Sequence, residues 1–131
     1  MKIAADLLQQ VVDHARRDAP LECCGIVVVE DGRATEVIPV ENIAASRLRF
    51  DMGPAALRLA DIADDGRQAV VYHSHTRSAP EPSQTDINFA ANWPGVDWLI
   101  VGLAGEEPQI RTWRIEDGLV TEVEVRVDAG G

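Results

Sequence analysis

Between Ile3 and Arg17 the apolar residues Leu7, Leu8, Val11, Val12 and Ala15 recur at three- and four-residue spacing. That is the stripe of an amphipathic helix, which Asp18-Ala19-Pro20 ends. His14 reads as a solvated residue on the polar side of this helix. Cys24 to Val29 is a dense β-branched run and Thr35 to Val40 alternates, so the pattern predicts two antiparallel strands joined at Asp31-Gly32. Arg47 to Met52 predicts a third, shorter strand. Gly53-Pro54 then opens a second helix over residues 55–63, carried by Leu57, Leu59 and Ile62 and stopped around Asp64-Asp65-Gly66.

Gln68 to His75 begins apolar and ends polar, as a buried strand does where it emerges at the edge of a sheet. Residues 76–82 hold two prolines and no periodicity and read as a loop. Ser83 stands at an N-cap position before a short helix through about Ala91. Asp97 to Leu103 is another buried strand, and Gln109 to Ile115 and Leu119 to Val127 form a second hairpin at Asp117-Gly118. The expected fold class is α+β: one domain, residues 1–128, with a mostly antiparallel sheet and about three helices, followed by a tail at 129–131. Gly130-Gly131 reads as a frayed terminus.

The chain's 131 residues, 46% hydrophobic, suit a single core. The apolar runs are far shorter than a membrane span requires, and no segment reads as a secretory signal, which predicts a cytoplasmic protein. A formal charge of -10 disfavours nucleic acid and anionic membranes as partners. Cys23 and Cys24 are adjacent and the only cysteines, so they supply no disulfide framework. The expectation is one buried thiol and one nearby partner, with oxidation sensitivity beside Glu22. Trp93, Trp98 and Trp113 read as core and edge packing, with the approach to the site open as an alternative place for Trp93.

The chemistry-bearing candidates lie near the middle of the chain. In a strand, His73 and His75 point the same way with Cα atoms roughly 6.5 to 7 Å apart, close enough to converge on one metal. A polar strand end is the plainer reading of the same pair. Ser83 and Asp86 have the spacing of a capping box. A carboxylate in that first helical turn can also face an adjacent strand end. Two imidazoles and one carboxylate would leave a fourth position for water, the open arrangement of a hydrolytic zinc site. Such a site needs a base outside the ligand set. Glu22, at the entrance of the apolar strand, is the candidate, with an ordinary surface glutamate as its alternative.

Taken together, Glu22, His73-Ser74-His75, seven intervening residues and Ser83-Gln84-Thr85-Asp86 resemble the signature of the JAMM (MPN+) metalloprotease family. The order of predicted elements resembles that family across nearly the whole chain. The resemblance implies that His73, His75 and Asp86 bind Zn2+, that Glu22 is the general acid/base, and that Ser83 helps hold the oxyanion or the water. Thr76 departs from the proline that many relatives carry after the second histidine, which bears on loop shape and subfamily. All five residues are present, whereas members without catalysis usually lack at least one.

The short chain is most similar to small stand-alone prokaryotic members of the family, including sulfur-carrier-protein-cysteine peptidases. That resemblance implies cleavage after the C-terminal Gly-Gly of a ubiquitin-like or sulfur-carrier protein, with release of cysteine as one outcome. The alternative is a non-catalytic MPN-type module that binds such a modifier or serves as a scaffold.

Overall fold

The computed structural model describes residues 1–129. The chain runs β1 (Lys2–Ala4), α1 (Ala5–Asp18), β2 (Cys24–Glu30), β3 (Arg33–Val40), a 3-10 turn (Gly53–Ala56), α2 (Leu57–Asp64), β4 (Gln68–His75), α3 (Gln84–Ala90), β5 (Asp97–Gly102), β6 (Gln109–Glu116), β7 (Leu119–Val123) and β8 (Arg126–Asp128). The strands form one sheet in the order β7-β6-β5-β4-β2-β3-β1-β8. The fold is α+β, as the sequence predicts. The sheet is more mixed than expected, because β4–β5, β1–β3 and β1–β8 pair in parallel while the other neighbours are antiparallel.

Alternation along the strands sends side chains into two cores, one on each face. Cys24, Ile26, Val28, Val71 and Trp98 meet Leu59 and Ile62 of α2 and Ala90 of α3 on one face. Cys23, Val27, Val29, Val70, Tyr72 and Leu99 meet Val11 and Ala15 of α1 on the other. Both cysteines are therefore buried, on opposite faces, and burial pushes each thiol up to about 12. The expected oxidation sensitivity has no basis here, since the reactive thiolate is suppressed.

His14 also departs from expectation. It is 5% exposed, its Nδ1 lies 2.6 Å from the Tyr72 hydroxyl, and its Nε2 lies 3.1 Å from Asp18 Oδ2. The helical spacing explains the placement: His14 follows Val11 by three residues and continues the stripe that packs on the sheet. It supplies the buried Tyr72 hydroxyl with the partner it needs.

Residues 47–52 form no strand. Asn42 takes over the backbone hydrogen bonding that a ladder would have supplied. Its Oδ1 accepts from the amides of Ala44 and Asp51, and its Nδ2 donates to the carbonyls of Glu22 and Arg49.

The predicted strand from Leu119 to Val127 is broken into β7 and β8, which lie on opposite edges of the sheet. Val123 and Arg126 are three Cα steps apart, so those edges meet at one end within about 11 Å and the sheet must curl strongly. The first helix begins at Ala5 rather than Ile3 because Lys2–Ala4 pairs as β1 between β3 and β8. The Gly130-Gly131 reading falls outside the described residues. No helix is long and apolar enough to cross a membrane among the described residues.

Candidate active site

The end of β4 carries the first two candidate residues. His73 and His75 share a strand face with Val71, the face against which α3 packs, while Ser74 points to the opposite face. Its Oγ accepts the amide of Cys23 at 2.9 Å. His73 is fully buried, and Phe50 from the loop before α2 stacks on its ring at a centroid distance of 4.6 Å. Nδ1 of His73 has no partner, and its Nε2 meets only the Asp86 carboxylate. His75 is oriented by a 2.9 Å contact between Nδ1 and the Ala79 carbonyl, in which Nδ1–H is the donor and Nε2 faces the site.

Asp86 reaches these histidines from the first turn of α3. Ser83 Oγ accepts the Asp86 amide at 3.1 Å, and Asp86 Oδ2 accepts the Ser83 amide at 3.0 Å, completing the capping box predicted from the spacing. The same Oδ2 lies 3.1 Å from Nε2 of His73 and 3.1 Å from Nε2 of His75. Burial by itself would raise the carboxyl's pKa, but the two imidazoles and the Ser83 amide hold it well below the usual carboxylate range. For His75, burial acts to lower the pKa; the contacts to Asp86 and the Ala79 carbonyl outweigh it and raise the value.

Glu22 enters from the start of β2. The antiparallel register sets Cys24 opposite His73, and continuing it backwards brings Glu22 alongside His75. Its backbone is clamped on both sides, its amide donating to the Ser46 carbonyl at 2.8 Å and its carbonyl accepting from Asn42 Nδ2 at 2.9 Å. The side chain is 4% exposed and its Oε1 has no partner. Burial raises the carboxyl's pKa to about 7, partly offset by His75 and reinforced by Asp86. Glu22, His75 and Ser83 line one cleft of about 610 Å³, together with Arg47, Leu48 and Arg77. His73 and Asp86 are buried behind its wall.

One nitrogen from each histidine and one Asp86 oxygen lie within 4.8 Å of one another, an arrangement that could hold a metal ion. The donor set is borderline to hard, as zinc accepts, and bond lengths near 2.05 Å place tetrahedral ligand atoms about 3.3 Å apart. The observed 3.1 Å separations are close to that spacing. A fully buried imidazole whose Nδ1 has no partner and whose Nε2 has only the Asp86 carboxylate is costly unless something further binds there. The residues therefore fit a metal.

The model of the prokaryotic homologues of the JAB domain matches residues 4–116. The chain belongs to this family. It is 36% identical over 132 residues to the CysO-cysteine peptidase of Mycobacterium tuberculosis, covering 95% of this chain and 89% of that protein. To the desampylase of Haloferax volcanii it is 38% identical over 110 residues, covering 76% and 78%. The crystal structure of AF2198, a JAB1/MPN domain protein from Archaeoglobus fulgidus, superposes with a TM-score of 0.63 at 23% identity, covering 97% of this chain and 98% of that one. The JAB fold and the small prokaryotic subfamily expected from the sequence both hold.

All five JAB-type residues foreseen in the sequence are brought to one end of β4. Three others carry the site and were not foreseen, namely Phe50 on the ring of His73, Ser74 beneath the histidines and Asn42 under Glu22. Only Ser74 had a visible signal, its place between two histidines on a strand. Trp93 packs with Leu59 and Val96 beside another cavity and does not line the cleft.

Proposed function

We propose that this hydrolase is a zinc-dependent peptidase that cuts the bond after the C-terminal Gly-Gly of a small ubiquitin-like or sulfur-carrier protein. In this reading His73, His75 and Asp86 hold the metal, Glu22 moves the proton and Ser83 steadies the oxyanion. The observation that carries it is a buried Glu22 carboxylate, its Oε1 without a partner, sharing one cleft with His75 of the three-residue group. A carboxyl buried without a partner costs stability and has no structural use. The names and coverage of the peptidase and desampylase relatives support the choice of substrate class.

Zinc, when bound, would polarise the scissile carbonyl and lower the pKa of water at the site. Glu22 takes a proton from the attacking water and returns it to the departing nitrogen. Ser83 Oγ already accepts the Asp86 amide, so its own hydrogen remains free to donate. Capping α3 and stabilising an oxyanion are therefore compatible tasks for one hydroxyl.

The test is cleavage of Gly-Gly-X fusions built on carrier proteins from the same genome, with and without a chelator. Metal-dependent release of the carrier ending in Gly-Gly is the expected result. Intact fusions across the panel, with metal present, would favour the binding-module alternative.

A further inference from the structure

Two cations stand at the mouth of the cleft with no acid to pair them. Arg47, in the loop before α2, and Arg77, two residues after His75, are exposed and line the cleft, whose single lining carboxylate is Glu22. Neither arginine forms an ion pair among the described residues. Arg33, Arg67, Arg111, Arg114 and Arg126 are paired, while Arg16, Arg17, Arg49 and Arg58 are not among the described residues; what distinguishes Arg47 and Arg77 is that they line the cleft that holds Glu22.

Their position relative to Glu22 gives the unpaired charge a direction. Ser46, beside Arg47, accepts the Glu22 amide at 2.8 Å. Thr76, beside Arg77, donates its hydroxyl to the Pro20 carbonyl at 3.3 Å, two residues before Glu22. Both arginines thus grow from backbone fastened around Glu22. The departing nitrogen must face Glu22 to receive its proton, so the leaving group lies in the cleft that Arg47 and Arg77 line. If that group is one residue long, its α-carboxylate sits within about 3.5 Å of the nitrogen, in the cleft that both arginines line.

The geometry points to Arg47 and Arg77 as a carboxylate subsite on the departing side of the substrate. The enzyme then favours a leaving group that is a single amino acid or short tail with a free α-carboxylate over the lysine side chain of a folded protein. This rests on the peptidase reading above and adds what leaves.

The probe is a pair of peptides of one sequence ending in Gly-Gly-Ala, one with a free carboxylate and one with a carboxamide, titrated into the zinc-loaded Glu22→Gln chain by calorimetry. The acid should bind about tenfold more tightly than the amide. In the chain that also carries Arg47→Ala and Arg77→Ala the ratio should fall to near one. Equal affinity for acid and amide before those substitutions, or an equal loss for both after them, overturns the subsite and leaves the peptidase reading standing. Failure to bind either peptide, together with failure of the unsubstituted chain to cut Gly-Gly-X fusions, overturns the peptidase reading and the subsite with it.

Discussion

The Ser74 hydroxyl accepts the amide of Cys23 at 2.9 Å, tying the strand that carries both histidines to the residue that follows Glu22. The candidate base and the two candidate ligand histidines are thereby positioned by the register of one antiparallel pair, and the first turn of α3 brings Asp86 to them. A slip of one residue would turn His73 and His75 to the α1 face and leave Asp86 facing Ser74. The precision of the site is thus a property of the sheet, with the loops closing around it.

His73→Ala and His75→Ala should each abolish tight zinc binding. Loss of a partner one step removed from a metal costs about 10- to 100-fold in affinity, so loss of a ligand should cost more than about a hundredfold. Metal analysis after dialysis against a weak chelator measures it. Near-stoichiometric zinc in either variant would remove the proposed coordination.

Glu22→Ala should retain zinc while turnover falls by roughly a hundred- to ten-thousandfold, the usual contribution of a positioned acid/base. Metal content and cleavage rate, measured on the same preparation, separate the two. A wild-type rate in this variant would assign the proton to another group.

The buried Glu22 carboxyl gives the metal-free chain a pH-dependent stability of known sign. Its folded value of about 7 lies above its ordinary 4.5, so the stability tied to the neutral carboxyl is present below about 4.5 and lost as pH rises through 7. The loss by pH 8 is about 3 kcal/mol. Glu22→Gln should therefore melt several degrees higher than the parent at pH 8 in chelator, and at nearly the parent's temperature at pH 5. A melting difference that stays constant across that range would contradict the burial argument.

Ser83→Ala tests the two roles of one hydroxyl. Loss of the cap should lower stability by about 1 kcal/mol. Loss of the oxyanion donor should lower the rate a further hundredfold or more. A lowered melting point with unchanged catalysis would confine Ser83 to capping.

The paired candidate site residues were legible because their spacing is local. His73 and His75 are two apart on a strand, and Ser83 and Asp86 share one helical turn, so each pair follows from the period of its element. Phe50 and Asn42 were not legible because both sit in the loop after β3 and their partners, His73 and Glu22, lie about twenty residues away, beyond α2 and beyond the β2–β3 hairpin. The same loop misled the strand assignment at Arg47–Met52. Its alternation of polar and apolar residues matches a strand, but the amide side chain of Asn42 captures the backbone groups first. The His14 error has a different source: an imidazole reads as polar, and the hydroxyl of Tyr72, fifty-eight residues on, joins Asp18 in making its burial favourable.

The burial of Cys23 and Cys24 on opposite faces of the sheet makes the folded chain blank to thiol-directed labels. A cysteine placed at Leu48, which is 85% exposed on the cleft rim, would be the sole site open to a maleimide dye. That single reporter can follow, by quenching or anisotropy, the arrival of a carrier tail in real time without touching any residue assigned to metal, proton or oxyanion.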